Sequence, residues 1–493
     1  MTAHPLSQRI GHVLDLQPES NAIEYEGQWL TWARLGGAAR RAATATAEHR
    51  LVGMLLRNRP GHVAAFLGVL LGGATVVTIN PSRGDDRTRA DIAALRLRMI
   101  IGEADDLATL VTSPDIATLT ISGRLDEPDD PDEPPTQPRT GRSDAGVAVR
   151  MLTSGTTGPP KRVDLSYGML AHSVMGPDYE RAPAPTEIRR GVAIVNSPLV
   201  HIGGVFRVLQ CVTDARPFVL LERFELNAWV AAVRRHRPRT VSLVPAALRT
   251  VLQSDLPRAD LASIHAVTCG TAPLSADDAD AFADKYGIPV LTSYAATEFG
   301  GGVAGWTLPD YRQYWRTKRG SVGRATGGAR LRTVDDDGTP LGPDQIGQLE
   351  VKPGQLGPSA KWMRTTDIAR IDADGFLWIV GRADQAIIRG GFKIMPDDVR
   401  TALESHPAVA GAAVVGRTDD RLGETPVAMV ELRDPTSADA GDLTEYLRTR
   451  LARYEIPTDI AIVDEIPRTP SGKADLGAVR SFFNAAVHRD HAR

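Results

Sequence analysis

The segment TSGTTGPPK at residues 153–161 gathers the groups that polyphosphate oxygens attract. Gly155 and Gly158 permit a tight turn that exposes backbone N–H groups. Thr153, Ser154, Thr156 and Thr157 add four hydroxyl donors, and Lys161 adds a cation. The pattern is not a Walker A loop, because Pro159-Pro160 separates Gly158 from Lys161. On composition alone the same segment also reads as a flexible Gly/Thr linker. Lysine is scarce, seven against fifty arginines, so each one carries more information. His201, taken by itself, reads more readily as structural than as catalytic. The two cysteines, Cys211 and Cys269, sit in apolar stretches. They form neither a disulfide framework nor a four-ligand zinc site, and read as buried, inert thiols.

The elements that must position this loop follow from periodicity. Strand VAVRML (147–152) runs straight into it. Upstream, VGMLL (52–56) reads as a strand, followed by a helix from Pro60 that stops at Gly72-Gly73 and a buried strand at 74–79. The uncharged stretch 63–79 is too short and too interrupted for a bilayer span. Residues 191–300 repeat the rhythm. GVAIVNS, ARPFVLL, TVSLVP, IHAVTCG and PVLTSY read as strands, with helices at 226–235 and 276–286. Alternation of this kind predicts an α/β fold with mainly parallel strands. Residues 125–146 are acidic and Pro-rich, and read as an exposed joint. From 321 to 380, short runs (ARLRTV, GQLEV, FLWIV) divided by DDDG and DADG predict a small antiparallel sheet or barrel.

The last ~110 residues read as a separate α+β unit. Pro396 fits the first turn of a helix burying Val399 and Leu403. Strands VAGAAVVG and PVAMVEL follow, then a helix from near Asp442 aligning Leu443, Leu447 and Leu451. DIAIVDEI leads to the polar loop PRTPSGK. The predicted architecture is thus a large α/β N-terminal domain, residues 1–384, with a β-rich subdomain at about 321–380. A smaller α+β C-terminal domain, 385–493, completes it.

Composition excludes several classes. A net charge of −3 leaves no basic field for nucleic acid and no acidic solvating arm. With 42% apolar and 24% charged residues the chain has enough apolar material for a large core and is not wholly disordered. The N-terminus shows no basic segment followed by an apolar run, so a cytoplasmic protein without a transmembrane segment is expected.

Beyond the glycine loop, six further segments follow in order: NSPLVHIGG (196–204), GTAPLS (270–275), YAATE (294–298), WMRTTD (362–367), GRADQAIIRGGFKIMPDDV (381–399) and PRTPSGK (467–473). With TSGTTGPPK they make the chain, from about Asn21 onward, resemble the adenylate-forming enzymes: acyl-CoA synthetases, peptide adenylation domains and luciferases. Lys161, Lys393 and Lys473 all fall inside these motifs.

The resemblance implies a ligase that joins a carboxylic acid to ATP, releases pyrophosphate and passes the acyl group to a thiol. A carboxylate must then attack an anionic phosphate, and cations must neutralise the accumulating charge. By resemblance, Lys473 reaches from a mobile loop to the carboxylate and α-phosphate. Glu298 is the Mg²⁺ ligand, Thr297 bonds the α-phosphate, Tyr294 stacks on adenine with Ala295 beside it, and Asp367 accepts the ribose hydroxyls. Arg382 supports the ribose or the linker. Gly270, Thr271 and Ala272 also fall at the nucleotide. Asp384 matches the hinge about which the C-terminal domain turns, presenting Gly390-Gly391 to the pantetheine arm with Lys393 near phosphate. His201 lines the acid pocket and thiol tunnel.

Three departures from the family pattern stand out. Ala295 and Thr366 occupy positions where glycine is usual, and the segment between GQLEV and WMRTTD is shorter by about a dozen residues. A trimmed surface is expected there, with Asp367 and Trp362 retained. Peptide adenylation domains bind the substrate ammonium with an Asp near the position of His201-Ile202-Gly203-Gly204, so an α-amino acid is disfavoured. Pocket candidates Ile202, Val205, Phe206, Gly270–Ala272 and Gly300–Val303 are uncharged, pointing to an apolar fatty or aryl acid, with fatty acid metabolism as the expected setting. CoA is the expected acceptor. A carrier-protein phosphopantetheine, and a catalytically weakened nucleotide-binding homologue, remain as alternatives.

Overall fold

The computed structural model describes residues 3–125, 146–153, 161–389, 392–419, 421–434, 437–469 and 472–490. The expected joint at 125–146 falls almost wholly outside them. Among the described residues no helix is long and apolar enough to cross a membrane.

A six-stranded sheet runs in the order Ala117–Thr120, Met99–Gly102, Leu51–Leu55, Thr75–Ile79, Val147–Thr153, Lys161–Ser166. Every neighbouring pair is parallel except the last. Helix Pro60–Leu71 is apolar on all sides, and each of its residues is buried. It stops at Gly72, as its sequence foretold. It lies so close to helix Trp32–Ala45 that a Cβ on Gly68 would sit 2.2 Å from the Ala39 carbonyl oxygen, so only glycine fits there.

A second sheet orders Gln28–Thr31, Asn21–Tyr25, Phe218–Leu220 and Ala193–Val195. The third holds Thr240–Leu243, Ala266–Cys269 and Val290–Ala296 in parallel, then turns antiparallel through Gly301–Gly305 and Arg324–Ala325. The β-rich region is a four-stranded antiparallel sheet, Arg330–Val334, Ile346–Lys352, Met363–Ile371 and Leu377–Arg382. Both cysteines are buried, and burial pushes each thiol up to about 12, out of reach of ordinary nucleophilic chemistry.

The C-terminal sheet is built on the long pair Val409–Asp419 and Gly423–Leu432, with Asp459–Val463 added in parallel. It has a core of its own around Val399, Leu403, Leu443 and Leu447. Helix Ala440–Arg448 begins two residues earlier than its apolar period suggests, because Asp439 and Asp442 form a reciprocal capping box. Leu451 lies past the helix end yet still packs against the same core.

Helix Pro396–Glu404 docks on the last strand of the β-rich sheet. An ion network ties the two parts together. Arg249 holds Asp278 at 2.7 Å and faces Glu404 at 3.5 Å, and Arg400 holds Glu404 at 2.7 Å.

Candidate active site

The C-terminal ends of parallel strands are where open α/β sheets bind ligands, since the loops there are free to vary while the strands hold them. Strand Ala266–Cys269 delivers Gly270, Thr271 and Ala272 to that edge. Gly270 lies against Ser293, where a Cβ would approach Oγ to 2.8 Å. Thr271 is held at φ +74°, a left-handed backbone that costs a β-branched residue energy and that tight surroundings must impose. The next strand, Val290–Ala296, carries Tyr294 and Ala295 and breaks into a 3₁₀ turn, Thr297–Phe299, which leaves Glu298 exposed. The glycine run that follows is pinned from behind. Ser173 Oγ donates to the Gly300 carbonyl at 2.7 Å and Gln355 Nε2 to the Gly302 carbonyl at 2.8 Å.

Asp367 comes from the β-rich sheet, directly opposite Arg382 in register. The Tyr294 phenol donates to Asp367 Oδ2, and the Asp367 backbone N–H is fixed by Thr365 Oγ1 at 3.0 Å. Burial together with the Asp367 carboxylate raises the Tyr294 phenol above its ordinary value, so it remains a donor. Thr366, where a glycine was expected, accepts a hydrogen bond from Arg382 Nη2 at 2.6 Å. The shortened segment closes through the 3₁₀ turn Gly354–Leu356 between Val351 and Met363, which pair directly. Asp367 therefore keeps its place. Trp362 lies under the Arg332 guanidinium at 4.3 Å.

Lys473 arrives from the other end of the chain. Its carbonyl accepts from the Thr469 N–H at 2.7 Å, and Gly472, at φ +78°, turns the loop onto Val244 of the N-terminal part. Burial lowers the Lys473 ammonium, with Arg382 adding to that effect and Asp367 and Glu298 opposing it. His201 caps the start of helix Ile202–Thr213, its Nε2 buried without a hydrogen-bond partner among the described residues. Burial, and then the Lys473 charge, pull its imidazole down to about 4, so it is neutral at physiological pH. Lys473, His201, Glu298, Asp367 and Arg382 thus share one electrostatic neighbourhood, although four separate parts of the chain supply them.

Lys161 opens strand Lys161–Ser166 opposite Thr153. Ser154, Gly155, Thr156, Thr157 and Gly158, and also Gly390 and Gly391, lie outside the described residues, as do the side chains of Thr153, Asp384 and Lys393. Among the described residues no three metal-ligating side chains cluster. A magnesium ion bound mostly by phosphate oxygens and water asks the protein for only one or two carboxylates, which Glu298 can meet.

Two features escaped the sequence. A cleft of about 570 Å³, bordered by Asn58, Asn80 and Ser82, abuts Pro198–Val200, the residues that lead into His201. Arg207, on the His201 helix, reaches Thr268 on the strand that carries Gly270. Its signal was a single charge within the apolar run VFRVLQCV.

Comparison with known proteins matches residues 12–358 to the AMP-binding enzyme family and residues 398–473 to the AMP-binding enzyme C-terminal domain. Indoleacetate–CoA ligase of Aromatoleum aromaticum is 30% identical, over 97% of this chain and 98% of its own. A feruloyl-CoA synthase of Amycolatopsis is 31% identical, over 95% and 97%. Among solved structures, the o-succinylbenzoate CoA synthetase of Bacillus subtilis in complex with its acyl-adenylate intermediate aligns with a TM-score of 0.79 and 26% identity, covering 97% of this chain and 98% of that one.

Proposed function

The chain belongs to the family of AMP-binding enzymes and is an acid–CoA ligase working through an acyl-AMP; from that premise we propose that its acid is an aryl or arylalkyl carboxylic acid, and that the residues gathered around Lys473 perform the adenylation. The relatives named above act on indoleacetate, ferulate and succinylbenzoate, which favours an aromatic acid over a fatty one.

In the first step the acid's carboxylate attacks the α-phosphorus of ATP and pyrophosphate departs. Asp367 holds the ribose hydroxyls through short acceptor bonds, with Tyr294 and Thr365 fixing the carboxylate's direction. The Tyr294 ring offers its face to the adenine, beside Ala295 and Gly270–Ala272. Thr297 bonds the α-phosphate, and the loop 153–158 with Lys161 takes the departing phosphates. Glu298 would hold Mg²⁺, whose chemistry is charge neutralisation on phosphate oxygens. Lys473 spans the incoming carboxylate and the α-phosphate oxygens, where negative charge accumulates. His201, neutral and partnerless, can meet the acid's carboxylate without adding charge.

For the second step the C-terminal domain, beginning at Asp384, turns and withdraws Lys473. Gly390-Gly391 then lets the pantetheine arm of CoA pass close to the backbone, with Lys393 at phosphate. The boundary 1–384 and 385–493 is part of this proposal.

One observation carries it: the part-buried Lys473, supplied by the C-terminal loop, has Asp367 and Glu298 of the N-terminal part as its favourable electrostatic neighbours. The test is acid-dependent exchange of labelled pyrophosphate into ATP over a panel of aryl and fatty acids, followed by CoA-ester formation. Exchange with aryl acids is the expected result. Exchange only with fatty acids would overturn the aryl assignment.

A further inference from the structure

Helix Ile202–Thr213 has two kinds of face. Gly204, Val205, Val208, Leu209, Cys211 and Val212 are buried in the core. Gly203, Phe206, Arg207 and Gln210 each keep part of their surface open. Their spacing of i, i+3, i+4 and i+7 makes them one stripe. The stripe faces inward across a gap, because the Arg207 guanidinium donates to Thr268 Oγ1 at 2.8 Å on strand Ala266–Cys269 and to Gln210 Oε1 at 3.1 Å. A Cβ on Gly203 would meet nothing nearer than Ser197 at 3.9 Å, so the stripe has room in front of it. Arg207 is part-buried, so its guanidinium is largely withdrawn from water while some of its surface stays open.

Arg207 stands out for what it lacks. An arginine stays charged in proteins, and a buried charge is costly unless an opposite charge meets it. Arg249 and Arg400, also deeply enclosed, face Asp278, Glu404 and Asp397. Among the described residues Arg207 has two neutral acceptors and the Phe206 ring at 5.8 Å. Among the described residues no carboxylate pairs with it. The guanidinium forks five N–H donors, two of which are engaged, so donors remain for a planar anion.

His201 and Lys473 mark the reacting end of the acid. Arg207 lies six residues further along the same helix, which at 1.5 Å per residue is ~9 Å. We propose that Arg207 receives a second acidic group at the far end of the substrate, so that the preferred acids are aryl or arylalkyl acids bearing a distal carboxylate about 9 Å from the carboxyl group that is activated. The proposal rests on the aryl acid–CoA ligase reading above and narrows it. Among the described residues a cation stands here without an anion, and the ligand completes the pair.

The test compares 4-carboxycinnamate with 4-methylcinnamate, acids of similar size that differ in the distal charge, by ATP- and CoA-dependent AMP release with the full chain. The wild type is expected to favour the diacid in kcat/KM by at least about tenfold. Arg207→Met should raise the KM for the diacid about a hundredfold and remove the preference for the diacid over the methyl acid, and Arg207→Lys should recover part of the loss. Wild-type selectivity decides the matter even if Arg207→Met fails to fold. If the wild type turns over the methyl acid as well as the diacid, the Arg207 assignment is overturned while the ligase reading stands. If neither acid, nor cinnamate itself, supports AMP release, the aryl-acid reading falls and this proposal with it.

Discussion

Two part-buried cations, Lys473 beside His201 at the start of helix Ile202–Thr213 and Arg207 in the middle of that helix, are balanced in different ways. Lys473 has carboxylates of the protein itself, Asp367 and Glu298, as favourable electrostatic neighbours, and sits on a loop from a separate sheet that is turned back by the bond from the Thr469 N–H to the Lys473 carbonyl. Arg207 belongs to a helix whose other face is core, is tied to Thr268 and Gln210, and meets no carboxylate among the described residues. The first arrangement suits a charge that must come and go. Burial and Arg382 outweigh those carboxylates, so the docked ammonium is held at a cost that withdrawal relieves. The second suits a charge that must stay and discriminate, because an unmatched buried guanidinium penalises a ligand without an anion.

The difference can be broken most forcefully at Lys473. Lys473→Ala should lower acid-dependent pyrophosphate exchange about 10²–10³-fold, the usual cost of losing a donor at developing charge. Conversion of supplied acyl-AMP to the CoA ester should remain near wild type. Equal loss of both half-reactions would contradict a role confined to the first. Asp367→Asn comes next. We expect the KM for ATP to rise about tenfold to a hundredfold, since a charge-assisted acceptor becomes a neutral amide. The wild type should discriminate against 2′-deoxy-ATP and the variant should not; undiminished discrimination would remove Asp367 from the ribose.

The proposed turning of the C-terminal domain is tested at Asp384. Asp384→Pro, which stiffens the backbone, should spare pyrophosphate exchange and depress CoA-ester formation about tenfold or more. Unchanged overall turnover would argue against rotation there. The smallest expected effect is on stability. The His201 imidazole falls from an ordinary 6.5 to about 4 on folding, chiefly through burial. Between those values the unfolded chain binds a proton that the folded chain refuses, so stability drops as pH falls through that window and the loss is complete below about 4. The shift corresponds to ~3 kcal/mol. His201→Gln should flatten the pH dependence of denaturant midpoints between pH 6.5 and 4 relative to wild type; parallel curves would mean that the imidazole titrates normally.

Much of the fold was legible because local chemistry and global structure agree. Helix Ala276–Tyr286 is bounded by Ser275, which caps it, and by Gly287 in the left-handed conformation, and its sequence reads the same way. Helix Pro60–Leu71 announced its end at a glycine pair. The β-rich sheet was marked by its DDDG and DADG turns. Where the period misled, a side chain intervened, as Asp439 did in starting its helix early. The site was legible as motifs whose order identified the chemistry. It was not legible as a neighbourhood, since nothing in WMRTTD or YAATE says that the Tyr294 hydroxyl ends on Asp367. Arg207 was invisible for the same reason. A lone arginine in an apolar run can as easily face solvent, and only the packing of its helix decides.

Sequence alone therefore settled the reaction, because adenylation needs particular groups (hydroxyls, a lysine, two carboxylates) whose types and order survive in a linear string. It also settled the α/β class, because strand and helix periods are local. Tertiary structure decided which charges meet. Electrostatic balance depends on distance and burial, and neither Lys473, far along the chain from Glu298 and Asp367, nor Arg207, without a paired carboxylate among the described residues, has its counter-charge written beside it.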